Sequence, residues 1–411
     1  MTSAPDLRGA PEAPGTTTGP WRLRALVLAA YCVNGFSLSA WNVRLPAIAD
    51  QVGLDAGGLG RFLMANAVGT LITIPLAGRW VQRAGAPRAY AAATVGFVAA
   101  YAGLAAALHA RSVVGLLAAA VVHGAAFALT NVPQAVLGTE SERRVGRTIL
   151  PQFHAAYSIA AAGGAALGGL AAAVGLGPAP QLLLLAALAA LTRGAVSLGL
   201  RRDASLHVRA VRIDGPGAAA PPASRSRRGG VWLETPTLLL GTVVFGAALS
   251  EGAANNWMAP LAVAELGVDE GRAAMFVSVF LVAQTAGRLV GGLLVDRLGR
   301  SATLVTSALV SAFGVVAFTV APVSWLAWGG AAVWGLGAAL AVPVAVSIAA
   351  AQGRAAERIA AVTSLSSLAN VVGPPLIGSA ADLVGLPWAV GAVAVVLGAG
   401  AVAGRAARRF A

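Results

Sequence analysis

The chain has 411 residues, of which 57% are hydrophobic and only 11% charged. A soluble domain carries roughly a quarter charged residues, so the composition excludes a soluble enzyme and indicates an all-α membrane protein. The net charge of +13 rests on 29 basic residues, all arginine; without lysine, a Walker-type phosphate loop and Schiff-base chemistry are both ruled out.

Twelve apolar runs are separated by short polar breaks, each run near the about 20 residues that a membrane-spanning helix needs. They lie at 23–48, 58–78, 89–109, 112–137, 149–174, 180–200, 237–264, 272–295, 302–321, 323–350, 357–380 and 387–404. The expected organisation is a tail over 1–22, a six-helix bundle over 23–200, a linker over 201–236, a second bundle over 237–404 and a tail over 405–411. The first 20 residues show no cleavable signal pattern, so the first run is expected to stay as a helix.

If both ends are cytoplasmic, most arginines fall on the cytoplasmic side, in clusters such as Arg79, Arg83 and Arg88 or Arg405, Arg408 and Arg409. The opposite side receives Arg44, Arg61, Arg111 and Arg272. This asymmetry is the positive-inside bias, which sets orientation and argues against nucleic acid as the partner of the positive charge. The expected location is the cell's inner (plasma) membrane, multi-pass. The single cysteine, Cys32, excludes an internal disulfide and a cysteine metal cluster; no metal or cofactor is expected.

In chain order, the first span carries Asn34, Ser37, Trp41 and Arg44 on one helical face, with Asn42 adjacent. Such a stripe lines a cavity or bonds a neighbouring helix, while Arg44 snorkels or pairs with Asp50. Span two repeats the device with Asn66, Thr70 and Thr73 beside Gly69. Span four presents His123, Phe127, Thr130 and Gln134 on one stripe, and span five opens with Gln152, His154, Tyr157 and Ser158 before the glycines 163, 164, 168 and 169. His123 and His154 are candidate proton carriers or satisfied structural groups. The linker is rich in Arg, Pro, Ala and Gly and reads as flexible, its arginines touching anionic lipid.

Span seven holds Glu251, the one acid deep inside a predicted span, followed by Asn255, Asn256 and Trp257. Burial of a carboxylate is expensive unless it is paired or protonated, which makes Glu251 the leading candidate for proton coupling. Span eight has Gln284 and Arg288; the spacing favours Arg288 joining Asp296 over pairing with Glu251. Trp325 and Trp328 of span ten read as interfacial anchors. Span eleven carries Thr363, Ser367 and Asn370 before Gly373, Pro374 and Pro375, where a helix could bend.

One register runs through both halves. Asn42, Pro46, Gly53, Asp55, Gly57, Phe62, Gly78, Val81, Arg83 and Gly85 recur, each displaced by 214 positions, as Asn256, Pro260, Gly267, Asp269, Gly271, Phe276, Gly292, Val295, Arg297 and Gly299. A shared register across helices and loops indicates a duplicated half. The same shift places Glu251 over Ser37 and Asn255 over Trp41, so the two polar stripes are expected to face each other at a central site.

Twelve spans in two halves, with charged glycine turns at Gly78–Arg88 and Gly292–Arg300, resemble the major facilitator superfamily. Within it, FSLSAWNVRLPAI, LPQFHAAYS and SEGAANNWMAP resemble the group similar to fucose:proton symporters and its bacterial branch close to rhizopine-locus membrane proteins. The resemblance implies the major facilitator fold of two pseudo-symmetric six-helix bundles, alternating access and a cytoplasmic gate. In that gate Asp296 would engage the start of span five near Arg147, and Arg297 and Arg300 would meet Glu140 or Glu142 around Gly299. In the first copy, with Arg83 and Gly85, Gln82 replaces the usual aspartate. Symporters of that group use acids in spans one and four, where this chain has Asn42 and no carboxylate, so fucose itself is a poor match. Ala165 replaces the proline of the drug-antiporter signature.

The expected function is secondary active transport of a small polar or amphipathic solute by a monomer in the lipid bilayer, coupled to protons. Uptake and efflux both stay open, as does a non-transporting sensor or scaffold on the same fold.

Overall fold

The structure is a computed structural model that describes residues 19–146, 149–203, 206, 230–352 and 354–410. The tail up to residue 18, the linker's central stretch and Arg147 lie outside the described residues, and so do the expectations placed on them. Among the described residues there is no strand.

Helices α1 (Pro20–Asn42), α2 (Leu45–Val52), α3 (Ala56–Ala84), α4 (Ala86–His109), α5 (Val113–Val145), α6 (Leu150–Ala173) and α7 (Pro178–Arg201) build the first half. The second comprises α8 (Thr235–Leu266), α9 (Glu270–Leu298), α10 (Arg300–Thr319), α11 (Ser324–Ala338), α12 (Ala341–Ala350), α13 (Ala355–Val384), α14 (Leu386–Gly391) and α15 (Val393–Ala406). Together they supply 12 spans long and apolar enough to cross a bilayer. An even number of crossings puts both chain ends on one side, called here the terminal face; the other is the distal face.

The 214-residue register holds in the backbone. Helices α3 and α9 each have 29 residues with equivalent ends, and each begins on an aspartate cap. Asp55 accepts from the Gly58 amide at 2.6 Å and Asp269 from the Arg272 amide at 2.9 Å, satisfying first-turn donors. Gly85 and Gly299 end these helices at φ of 84° and 79°, a region closed to residues with a Cβ.

Several helices outrun their apolar stretches: α3 continues to Ala84 and α5 to Val145, because polar last turns project beyond the bilayer while still hydrogen-bonded. Three predicted spans are broken: the first at Val43–Arg44, the tenth at Ala339–Leu340 and the twelfth at Ala392. In the first two, Pro46 or Pro343 lacks the amide that would bond back to Asn42 or Ala339 four residues earlier. At Pro374 and Pro375 the helix is not interrupted: α13 runs on, its backbone held against Gly60 of α3.

In lipid, helices gain little from burying apolar surface against each other, so close backbone approach does the work. A Cβ on Gly124 would lie 1.8 Å from the Asn66 carbonyl oxygen, and one on Gly69 would lie 2.1 Å from that of Val121, locking α3 to α5. Gly164 and Gly168 press on the carbonyls of Phe36 and Ala40 in α1, whereas Gly169 faces Gly271 and Ala274 of α9. The glycine run of α6 therefore serves two partners, one in each half.

Gly124→Val forces α3 and α5 apart and is expected to destabilise the protein by about 1–3 kcal/mol. Gly78→Ala, where nothing lies within 4 Å, should be neutral. Thermal unfolding in detergent compares the two, and equal midpoints would contradict the crossing.

Candidate functional site

The halves meet along α3 with α13 and α6 with α9. At the distal end, the Arg44 guanidinium pairs with Glu270 at 3.1 Å, and the Gly57 amide donates to Asp382 Oδ1 at 2.9 Å. Midway along α6 and α9, Arg288 Nη1 donates to Ser158 Oγ at 3.1 Å. Nearer the terminal face, no hydrogen bond or ion pair joins the halves among the described residues. The polar contacts between the halves lie at the distal end and along α6 and α9.

At the α6–α9 contact, Arg288 also faces Glu251, with Nη2 3.6 Å from Oε1. The spacing had favoured Asp296 as the partner of Arg288; the structure brings Glu251 to it instead, because α8 and α9 are adjacent at this depth. Neither side chain is enclosed: 38% of Arg288 and 34% of Glu251 is exposed. The expectation of a carboxylate buried in apolar surroundings is thus corrected to one that is partly exposed and paired. At 3.6 Å the pair is loose, so both groups keep hydrogen-bonding capacity.

Around this pair, Asn255 and Asn256 are half-buried, and Asn255 Nδ2 donates to the Glu251 carbonyl at 2.9 Å. Asn370 is exposed beside Gly252. His154 is exposed on α6 and meets Tyr31 edge-on at 5.4 Å. The stripe of the first span does not join them. Ser37 and Trp41 are 1% and 2% exposed and Asn42 is 9% exposed, all inside the first half. Gln134 is buried too and accepts from Asn34 at 3.3 Å. Glu251 therefore faces α9 and, through Arg288, α6, not the Ser37 stripe.

His123 has no exposed surface. Trp41, Phe97 and Tyr101 surround it at 4.9, 5.3 and 5.4 Å, and Asn66 Nδ2 lies 2.7 Å from Nδ1. Beyond Phe97 stands a residue that sequence reading passed over. Arg193 is fully buried, stacked over Phe97 at 4.2 Å and Tyr90 at 5.1 Å, and donates to Thr130, with no carboxylate paired to it among the described residues. The ring faces supply part of what a counter-ion would. A protonated His123 would add a second unpaired cation to this box. An arginine inside an apolar run was the available signal; its aromatic partners lie on another helix.

Of the expected cytoplasmic gate, the contact between Asp296 and Arg147 lies outside the described residues. Asp296, Arg297, Gly299, Arg300 and Arg83 are exposed, and their side chains form no ion pair among the described residues. Glu140 is held by Arg143 and Arg144 at 2.7 and 2.8 Å, and Glu142 accepts from the amides of Ile149 and Leu150 at 2.8 and 3.0 Å. Both acids are spent within the first half, which corrects their assignment to Arg297 and Arg300. Gly85 keeps its turn, and Arg147 lies outside the described residues. Arg44 pairs with Glu270 and not with Asp50, and the half-buried Trp328 lies with its ring tilted by 35° against Phe276 at 4.3 Å. Among the described residues, no three His, Cys, Asp or Glu side chains cluster to hold a metal.

Residues 240–409 match the Major Facilitator Superfamily. An uncharacterised MFS-type transporter of Yersinia pestis is 28% identical over 389 residues, covering 92% of this chain and 94% of that protein. An uncharacterised transporter of Sinorhizobium fredii is 28% identical over 366 residues, covering 88% and 91%. Among solved structures, a mutant form of the nucleoside transporter NupG matches with a TM-score of 0.71 at 14% identity, covering 95% of this chain and 99% of that one.

Replacing an unpaired buried cation by an apolar side chain of similar length is neutral or stabilising. Arg193→Met is accordingly expected to leave the unfolding midpoint unchanged or raised, while Phe97→Ala should lose about 3 kcal/mol or more. A clear fall for Arg193→Met would mean that the guanidinium has a partner beyond Thr130 and the rings.

Proposed function

We propose that this chain, a membrane transporter of the major facilitator type and not an enzyme, carries a small polar or amphipathic solute by alternating access, with movement coupled to protons. The observation that carries the reading is the Glu251–Arg288–Ser158 chain, which joins the two halves midway along α6 and α9. Among the described residues it is the one place where a partly exposed charged pair of the second half also reaches a polar side chain of the first.

The chemistry follows from the pairing. While Glu251 is ionised it neutralises Arg288, which is free to bond Ser158 across the interface. A proton placed on Glu251 removes that neutralisation and leaves Arg288 to seek another acceptor, either an oxygen of the solute or a group exposed by movement of the halves. Solute binding and proton binding thereby act on the same guanidinium, which is the physical requirement for coupling. The arginine asymmetry supports a terminal face in the cytoplasm and a multi-pass carrier of the inner membrane. The three segments resembling the fucose:proton symporter-like group support uptake as the working direction, although Asn42 stands where those symporters carry an acid.

In proteoliposomes, with a solute identified by a thermal-shift screen, Glu251→Gln is expected to lower flux driven by a pH gradient by about a hundredfold. Insertion and solute binding should be retained; wild-type coupled flux would remove Glu251 from the mechanism. Asp296→Asn is expected to slow turnover while leaving insertion and folding unchanged, since Asp296 is exposed and its side chain makes no ion pair among the described residues. Unchanged turnover would show that the charged turn does not contribute to closure.

A further inference from the structure

The distal seam has an electrical polarity. The first half presents positive groups, the Arg44 guanidinium and the N-terminus of α3, whose first-turn amides carry partial positive charge. The second half presents carboxylates to both, Glu270 and Asp382. On the terminal face, by contrast, Arg79, Arg83 and Arg88 of the first half and Arg297 and Arg300 of the second are all exposed, with Asp296 beside Arg297. Attraction at one end and like charge at the other bias an empty carrier toward the conformation seen here.

Arg44 is the pivot. Its side chain is 5% exposed, and besides Glu270 it donates to Gln181 Oε1 at 2.6 Å and the Leu176 carbonyl at 2.9 Å. Gln181 Nε2 in turn donates to the Ala40 carbonyl at 2.7 Å, so the guanidinium is fixed to its own half. Separation of the distal ends takes Glu270 away with the second half. A cation left with two neutral acceptors at the bilayer edge is strongly destabilised. Asp50, on α2 of the same half, lines the same open dish of about 630 Å³ as Arg44 and Glu270. The other charged group on that dish is Asp269, which caps α9 and faces Arg272 at 3.4 Å.

We infer that Arg44 is a two-position switch of the distal gate, paired with Glu270 across the halves when the gate is closed and with Asp50 in its own half when it is open. Asp382 on the α3 N-terminus is the second lock of the closed state. This goes beyond the transport reading and needs no solute: the partner exchange sets how often the empty carrier opens distally. It gives Asp50 and Glu270, two acids on one dish, opposite effects on the same equilibrium, which neither a general loss of packing nor a loss of negative charge produces.

Spin labels at Ala110 and Pro322, in loops of opposite halves on the distal face, report the separation in a Cys32→Ser background without solute. The unmodified gate should give mainly the short distance. Glu270→Gln, which removes the partner of the buried Arg44, should raise the ratio of long to short distances by about tenfold or more, and Asp382→Asn, which weakens a charge-assisted bond to the Gly57 amide, should raise it by about threefold or more. Glu270→Asp should restore most of the short population. In the Asp382→Asn background, where opening is measurable, Asp50→Asn should move the ratio back toward the closed gate. Shifts in the same direction for Glu270→Gln and Asp50→Asn, or no shift in any variant, would overturn the switch. Should Glu270→Gln fail to insert, the exposed positions Asp50 and Asp382 decide alone: Asp382→Asn must open the gate and Asp50→Asn must reverse it. Failure of proton-coupled flux in the Glu251 test leaves this measurement intact, so the two readings fail separately.

Discussion

A charge inside a bilayer must find compensation within the protein, and this chain is shaped by how it meets that demand for arginine. An unpaired arginine near the middle of a spanning helix costs about 3 kcal/mol or more. Arg44, Arg193 and Arg288 show three solutions. Arg44 takes a carboxylate from the opposite half together with two neutral acceptors. Arg288 takes a loose carboxylate from its own half and a hydroxyl from the other. Arg193 takes two aromatic faces and a threonine. The first two hold the halves together, and the third fixes the interior of one half.

Duplication supplied the frame and divergence supplied the chemistry. The helix caps, turn glycines and lengths of α3 and α9 are preserved at a displacement of 214 positions because they are backbone requirements with few substitutes. The polar positions are not. Ser37 and Trp41 are closed into an aromatic interior with His123, whereas their counterparts Glu251 and Asn255 are partly exposed. The first half buries its stripe among aromatic rings, and the second carries the Glu251–Arg288 pair.

What could be read from sequence divides along the same line. The spans, the repeat and the turn glycines were legible because hydrophobic length and backbone conformation are local properties. The partners of Arg44, Arg288 and Glu140 were not, because they depend on which helices become neighbours at a given depth. Asp50 is close to Arg44 in sequence, yet the structure gives Arg44 to Glu270, whose helix starts more than two hundred positions away. Likewise the prolines at 374 and 375 are the more conspicuous helix breakers, but packing against Gly60 carries α13 through them, while the single Pro343 breaks its helix.

That break has a consequence for the central pair. Gly287 and Gly291 flank Arg288 on α9, and into them fit Ala339 and Leu340, the two residues at which the tenth span is interrupted; added Cβ atoms would lie 2.7 Å and 2.3 Å from their side chains. Arg288 is thus backed by a joint between two helices and fronted by Glu251 and Ser158. Rotation of α9 that carried the guanidinium from one acceptor to another would change the depth of the glycine faces under Ala339 and Leu340, and a helix interrupted there can adjust without breaking hydrogen bonds along its length. The proline that removes one backbone bond from the tenth span therefore places its most adaptable point behind the charge that links the halves.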